Sequence, residues 1–222
     1  MNSSQEKYPR PSVTADVLLF TVVENELKIL LINRNTEPFK GTWALPGGFV
    51  KIDESLEDAA MRELKEEGNV DNVYLEQLFT FGDPRRDPRE RVITVTYLAL
   101  SDSKAWDLRS SGDAREAKLF SIKNLPKLAF DHRKIVDYGL ERLRSKVGYS
   151  NIVLGLLPEA FTLTDLQNIY EVILGTKVDK RNFRKKILAT GLLLPTGKKS
   201  DGKAHRPASY YKFKDRKLVI TD

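Results

Sequence analysis

Three carboxylates, Glu63, Glu66 and Glu67, fall at i, i+3 and i+4 in the run Arg62-Glu63-Leu64-Lys65-Glu66-Glu67-Gly68-Asn69-Val70. If residues 55 to 67 are helical, about 100° per residue puts all three acids on one face, together with Leu56, Ala59 and Ala60. Asp58 and Lys65 point the other way. A surface helix normally sets its acids opposite its apolar stripe. Acids on the stripe crowd like charges at the edge of a core, which is costly unless a cation compensates them. The pattern therefore predicts a divalent metal site. A solvated acidic helix with an Arg62–Glu66 pair is the plainer reading of any single glutamate, but the full set, with Gly47, Gly48 and Glu54 ahead of it, weighs against that reading.

From Gly48 to Val70 the chain resembles the Nudix box, G-x5-E-x7-R-E-U-x-E-E-x-G-U with U an apolar residue. Every position matches except the last glycine, where Asn69 stands. Asparagine is the non-glycine residue that best tolerates the left-handed conformation found at a helix end. The resemblance implies cleavage of a nucleoside diphosphate linked to another moiety, with Mg²⁺ or Mn²⁺ as cofactor. It implies Glu66 and Glu67 as metal ligands, the Gly47 carbonyl as a third, and Glu63 as a ligand or as the base for the attacking water. Arg62 and Glu54 would hold these carboxylates in orientation, and Glu116 is a weaker candidate for the base. Oxygen ligands suit such hard cations, and Mg²⁺ keeps several waters, so three acids suffice.

At 222 residues the chain has room for one large domain or two small ones. The absence of cysteine excludes a disulfide framework, a thiol nucleophile and a cysteine zinc site. Two histidines, His132 and His205, have no metal-binding spacing and read as structural or phosphate-contacting. The polar first eleven residues and an early apolar run of only residues 17 to 20 predict no membrane span and a cytoplasmic protein.

Charge divides the chain. Residues 1 to 149 hold 23 Lys/Arg against 24 Asp/Glu, whereas residues 150 to 222 hold 14 against 7. Two units of different electrostatic purpose are expected. In the first, strands over 13–23, 27–33, 74–81 and 91–100 alternate with a box helix capped by Ser55 and a closing helix over 131–146. In the second, Thr164, with Gln167 in the reciprocal position, is expected to cap a helix over 165–174, and Asp179 a helix over 180–190 that stops at Gly191. Phe183 and Ile187 mark its buried face, and Arg181, Asn182 and Lys185 lie opposite, flanked by Arg184 and Lys186. Strands at 192–194 and 210–213 enclose a basic loop over 196–209 with Lys198, Lys199, Lys203 and Arg206. This is the order of a winged helix. A solvated basic face is the plain reading of the helix alone, but helix, turn, wing and local charge agree on DNA, whose phosphates need clustered Lys and Arg and whose bases Arg and Asn can read.

The fold class expected is α/β: a Nudix α/β/α sandwich with a mixed sheet over residues 1 to 149, then a winged helix-turn-helix over 150 to 222. That combination resembles the Nudix-related transcriptional regulators, the NrtR family among them. Residues 179–185 and 206–213 look like that family's recognition helix and second wing strand, and residues 81–89 and 130–132 look like the ADP-ribose-type Nudix branch. The resemblance implies a DNA operator, ADP-ribose or a related nucleotide as effector and, by analogy with two-fold operators, a homodimer. Arg34, Arg85, Arg86 and Arg89 are the candidate effector contacts, because guanidinium groups grip a pyrophosphate bidentately. Loop solvation is the alternative for each. A metal-dependent hydrolase with a basic accessory domain and a sugar-responsive regulator remain as other functional readings.

Overall fold

The computed structural model describes residues 10–71, 73–102, 116–200 and 207–220. Strand β1 (Ser12–Val23) is buried continuously from Thr14 to Thr21, the mark of a strand covered on both faces. Alternate side chains of a strand point to opposite faces. Ala15, Val17 and Leu19 accordingly pack with Ala59, Ala60 and Leu64 of helix α1 (Leu56–Gly68). Leu18 and Phe20 pack with Ile135, Val136 and Leu143 of helix α2 (His132–Tyr149). Strands β2 (Glu26–Asn33) and β6 (Val92–Leu100) split in the same way, Leu30, Tyr97 and Ala99 toward α1 and Ile29, Leu31, Leu98 and Leu100 toward α2. The result is the expected helix–sheet–helix sandwich. Gly139 lets α2 approach this closely, since a Cβ there would overlap Leu18 Cδ2.

The sheet is mixed. β1 runs parallel to β6 and antiparallel to β2, to which it is joined by a two-residue turn with Glu24 and Asn25 both left-handed. The strand order is β3 (Trp43–Ala44), β2, β1, β6, β5 (Tyr74–Phe81), with β4 (Gly47–Phe49) paired to β1 and β7 (Ala117–Ser121) to β2. The β4 pairing sets Gly48 opposite Ala15 and Gly47 opposite Asp16. Helix α1 starts and stops where the sequence indicates. The Ser55 hydroxyl accepts the Asp58 N–H at 3.1 Å, and Asn69 closes the helix in the left-handed region with φ of 50°.

In the second unit β8 (Phe161–Thr162), β10 (Ser209–Phe213) and β9 (Leu193–Lys199) form a small antiparallel sheet in that order. Helices α3 (Leu163–Leu174) and α4 (Lys180–Ala189) precede the wing, with left-handed Gly175 ending α3. Thr162 rather than Thr164 caps α3. Thr162 leaves β8 in an extended conformation, and Asp165, not Gln167, completes the reciprocal pair, accepting the Thr162 N–H at 2.8 Å. Gln167 bonds Glu171 instead. The first wing strand also continues to Lys199 rather than ending at Leu194. The apolar cluster under α2 continues into this unit through Ile152, Leu166, Ile173 and Phe213. Among the described residues no helix is long and apolar enough to cross a membrane.

Candidate functional site

Two of the box acids point inward and one does not. Glu63 and Glu67, one turn apart on α1, are buried against β4. The Glu67 carboxylate accepts the Gly47 N–H at 3.0 Å. Gly48 has no room for a side chain, because a Cβ would overlap Glu63 Oε1. Glu66 sits at the rim with 58% of its side chain exposed. Arg62 ties the set together. Its Nε and Nη2 reach both oxygens of Glu54 at 2.9 and 2.8 Å, while Nη1 reaches Glu63 at 2.7 Å and Glu66 at 3.3 Å. That bidentate bond, helped by the Lys51 N–H, holds the Glu54 carboxyl at a pKa of about 2.

The donors available to a cation are all oxygens, the chemistry a hard divalent ion requires. Among the described residues no group of three or more acids or histidines is arranged to hold a metal ion by itself. Mg²⁺ does not need one, since it keeps waters and shares substrate oxygens. Two buried carboxylates beside a glycine backbone fit such a partly hydrated ion.

A cavity of about 210 Å³ opens beside this face. Its floor is a buried charge network absent from the sequence reading. Arg86 Nη2 bonds Asp131 at 2.9 Å and Asp16 at 3.4 Å, with all three side chains at most 10% exposed. His132 Nδ1 accepts the Leu45 N–H at 3.0 Å, so the ring proton is on Nε2, 3.8 Å from Asp16. Burial first, and then Arg86, lower the His132 pKa, so the ring is neutral at neutral pH.

The walls are aromatic and cationic. Arg34 lies over the Phe130 ring at 4.8 Å and Arg89 at 5.7 Å, while Phe39 meets the ring edge-on at 4.8 Å. Asp87 fixes Arg89 through bonds of 2.7 and 3.0 Å. Phe39 and Phe130 both occupy the left-handed region, at φ of 67° and 51°. Non-glycine residues held there cluster at functional sites. The four arginines named from the sequence therefore have different places. Arg34 and Arg89 line the cavity, Arg86 is the paired floor, and exposed Arg85 faces a neighbouring cleft with Lys134. Glu116 is exposed and lies outside the cavity lining. Asp16 has no place in the sequence reading, although a lone acid inside the apolar stretch of β1 is a visible signal, and Asp131 enters it only within the run 130–132.

The second unit presents a different surface. The Asp179 side chain caps α4 by accepting the Asn182 N–H at 2.8 Å. Phe183 anchors the helix edge-on to Tyr170 at 5.1 Å. Arg181, Asn182 and Lys185 on α4 and Lys198 and Lys199 on β9 are exposed, whereas Arg184 leans back to Thr164 Oγ1 at 3.3 Å. Lys203, His205 and Arg206 lie outside the described residues. Helix α2 joins the two sites. It begins at His132, next to the cavity floor, and near its other end Arg144 Nε donates to the Ile173 carbonyl of α3 at 3.1 Å.

A sandwich carrying this box defines a Nudix protein, and the Nudix domain family matches residues 13–139. The NrtR DNA-binding winged helix domain matches residues 153–213, and the chain belongs to the NrtR-like Nudix-related transcriptional regulators. It is 41% identical over 211 residues to the ADPR responsive transcriptional repressor NtrR of Acinetobacter baylyi, covering 93% of this chain and 83% of the relative. It is 44% identical over 132 residues to the ADP-ribose pyrophosphatase of Methanocaldococcus jannaschii, covering 59% of this chain and 75% of that enzyme. The crystal structure of Shewanella oneidensis NrtR complexed with a 27mer DNA superposes with a TM-score of 0.82 at 38% identity, covering 91% of this chain and 93% of the other. Nudix hydrolases generally use a divalent metal.

Proposed function

We propose that this chain is a DNA-binding transcriptional repressor whose Nudix cavity binds ADP-ribose, or a closely related nucleoside diphosphate derivative, as its effector. The observation that carries this reading is that α2 starts at His132 of a cation- and aromatic-walled cavity and is bonded near its other end to α3, the helix that precedes the exposed basic α4. Arg34 and Arg89, stacked on Phe130, suit an anion linked to flat or sugar groups. On α4, Arg181, Asn182 and Lys185 would enter the major groove, with Arg184, Lys198, Lys199 and Arg206 near the phosphates. The unit boundary at residues 149 and 150, a homodimer on a two-fold operator, and a cytoplasmic setting belong to the same reading.

The intact box supports a second activity, slow hydrolysis of the effector. Glu66, Glu67 and the Gly47 carbonyl would hold Mg²⁺ or Mn²⁺, which when bound neutralises phosphate charge and acidifies water. Glu63 would serve as ligand or base, and Arg62 and Glu54 keep the carboxylates in place. Isothermal titration with ADP-ribose, with and without Mg²⁺, followed by product analysis, tests both. Saturable binding is expected in each case and cleavage only with the ion. Absence of binding would refute the effector assignment.

A further inference from the structure

We infer that the chain carries a second small-molecule site, a cavity between the end of α2 and the helix-turn-helix, which takes a compact amphipathic anion with an apolar body. The cavity measures about 310 Å³, at the lower end of ligand-binding cavities, which start near about 300 Å³. Its walls are apolar, formed by Val147, Tyr170, Leu174, Val178, Phe183 and Ile187. It shares no lining residue with the Nudix cavity.

Three features point to a ligand of this chemistry. The first is Gly148, which lines the cavity from the last turn of α2. At Gly139 of the same helix, packing against Leu18 demands glycine, but a Cβ at Gly148 would meet nothing within 4 Å. Gly148 is exposed, and the space beside it is open. The second is Tyr170, which lines the cavity and whose hydroxyl pKa burial pushes up to about 12. It is a donor held beside an apolar wall. The third is charge. Lys186 lines the cavity without an ion-pair partner among the described residues, whereas the acid in the lining, Asp179, already caps α4. An apolar slot with one cation and one hydroxyl donor complements an organic anion. Because Asn182, Phe183, Lys186 and Ile187 all belong to α4, an occupant bears directly on the helix assigned to DNA reading. That consequence rests on the winged-helix reading, whereas the site itself does not.

The test titrates the full chain with the fluorescent probe 8-anilinonaphthalene-1-sulfonate. Saturable one-to-one binding is expected, and it persists at saturating ADP-ribose. Gly148→Leu and, independently, Val178→Phe should each weaken the probe by about tenfold or more through filling the cavity, Tyr170→Phe by a fewfold, and Arg89→Ala not at all. Melting curves identify any variant that fails to fold, and either filling variant alone decides the question. Saturating probe should also shift affinity for a control-region DNA at least about threefold in the parent and not in the filled variants. Displacement by ADP-ribose, unchanged affinity in a folded filling variant, or probe binding that tracks self-association of the chain would overturn the proposal. A bound probe that leaves DNA affinity unchanged would overturn the site's reach onto α4.

Discussion

The cations of the two units are held in opposite ways. In the Nudix unit Arg62, Arg86 and Arg89 each have a carboxylate partner within 3 Å, and Arg86 is buried with two acids. In the winged helix Arg181, Lys185, Lys198 and Lys199 stand exposed on one helix and one strand, without ion pairs among the described residues. A small effector needs groups pre-set at fixed angles, and paired arginines in low dielectric supply that rigidity. A polyanion needs mobile charges that displace its counterions. The same residue types thus perform different work according to what already neutralises them.

The largest effect that would break this contrast concerns Arg86. Removing it leaves Asp16 and Asp131 buried without a cation, so Arg86→Ala is expected to destabilise the fold by about 3–5 kcal/mol. Exposed Arg85→Ala should stay within about 0.5 kcal/mol. Urea denaturation compares them, and equal stabilities would mean that the buried network is not structural. Next in size is the box. Glu67→Gln is expected to lower Mg²⁺-dependent cleavage of ADP-ribose by about 10²-fold or more, while Lys65→Gln, on the exposed side of α1, changes it little. Similar losses in steady-state assays would refute the division of α1 into two faces.

How far these features were legible in the sequence follows from how local their causes are. The box helix, its Ser55 cap and its Asn69 end are set by residues within a few positions of one another, and the structure has them where the spacing put them. The element order and the winged helix followed from periodicity and turn residues, while the sandwich with its mixed sheet rested on the resemblance to Nudix domains. The two-residue strand β8 is too short to carry a pattern, so the cap of α3 was placed at Thr164 instead of Thr162. The Arg86–Asp16–Asp131 network joins residues 70 and 45 positions apart. No local spacing encodes such a pairing, and Arg86 therefore looked equivalent to Arg85.

Smaller effects sharpen the contrast on the DNA side. Asn182→Ala removes no charge and should reduce discrimination between operator and random DNA by about 1–3 kcal/mol. Lys199→Ala should weaken both alike and lower the log-log salt slope by about 0.9. Anisotropy titrations over a salt series separate the two patterns, and a reversal would reassign the reading surface. The smallest effect is a pH dependence. His132 has a lowered folded pKa, so below about 6.5 the unfolded chain binds a proton that the folded chain does not. Its stabilising contribution is complete above that pH and is lost as pH falls toward the folded value. His132→Asn should flatten this slope in denaturation series between pH 5 and 7.5, and an unchanged slope would assign it to another group.

On the proposed function, a paired-arginine cavity and an unpaired basic helix act as one device through α2. The most direct measurement is the affinity of the full chain for a DNA fragment of its own control region, taken with and without saturating ADP-ribose. The predicted result is sequence-selective binding whose affinity shifts at least about fivefold with the effector, the lower end of allosteric couplings. ADP-ribose that binds yet leaves the DNA affinity unchanged would contradict it.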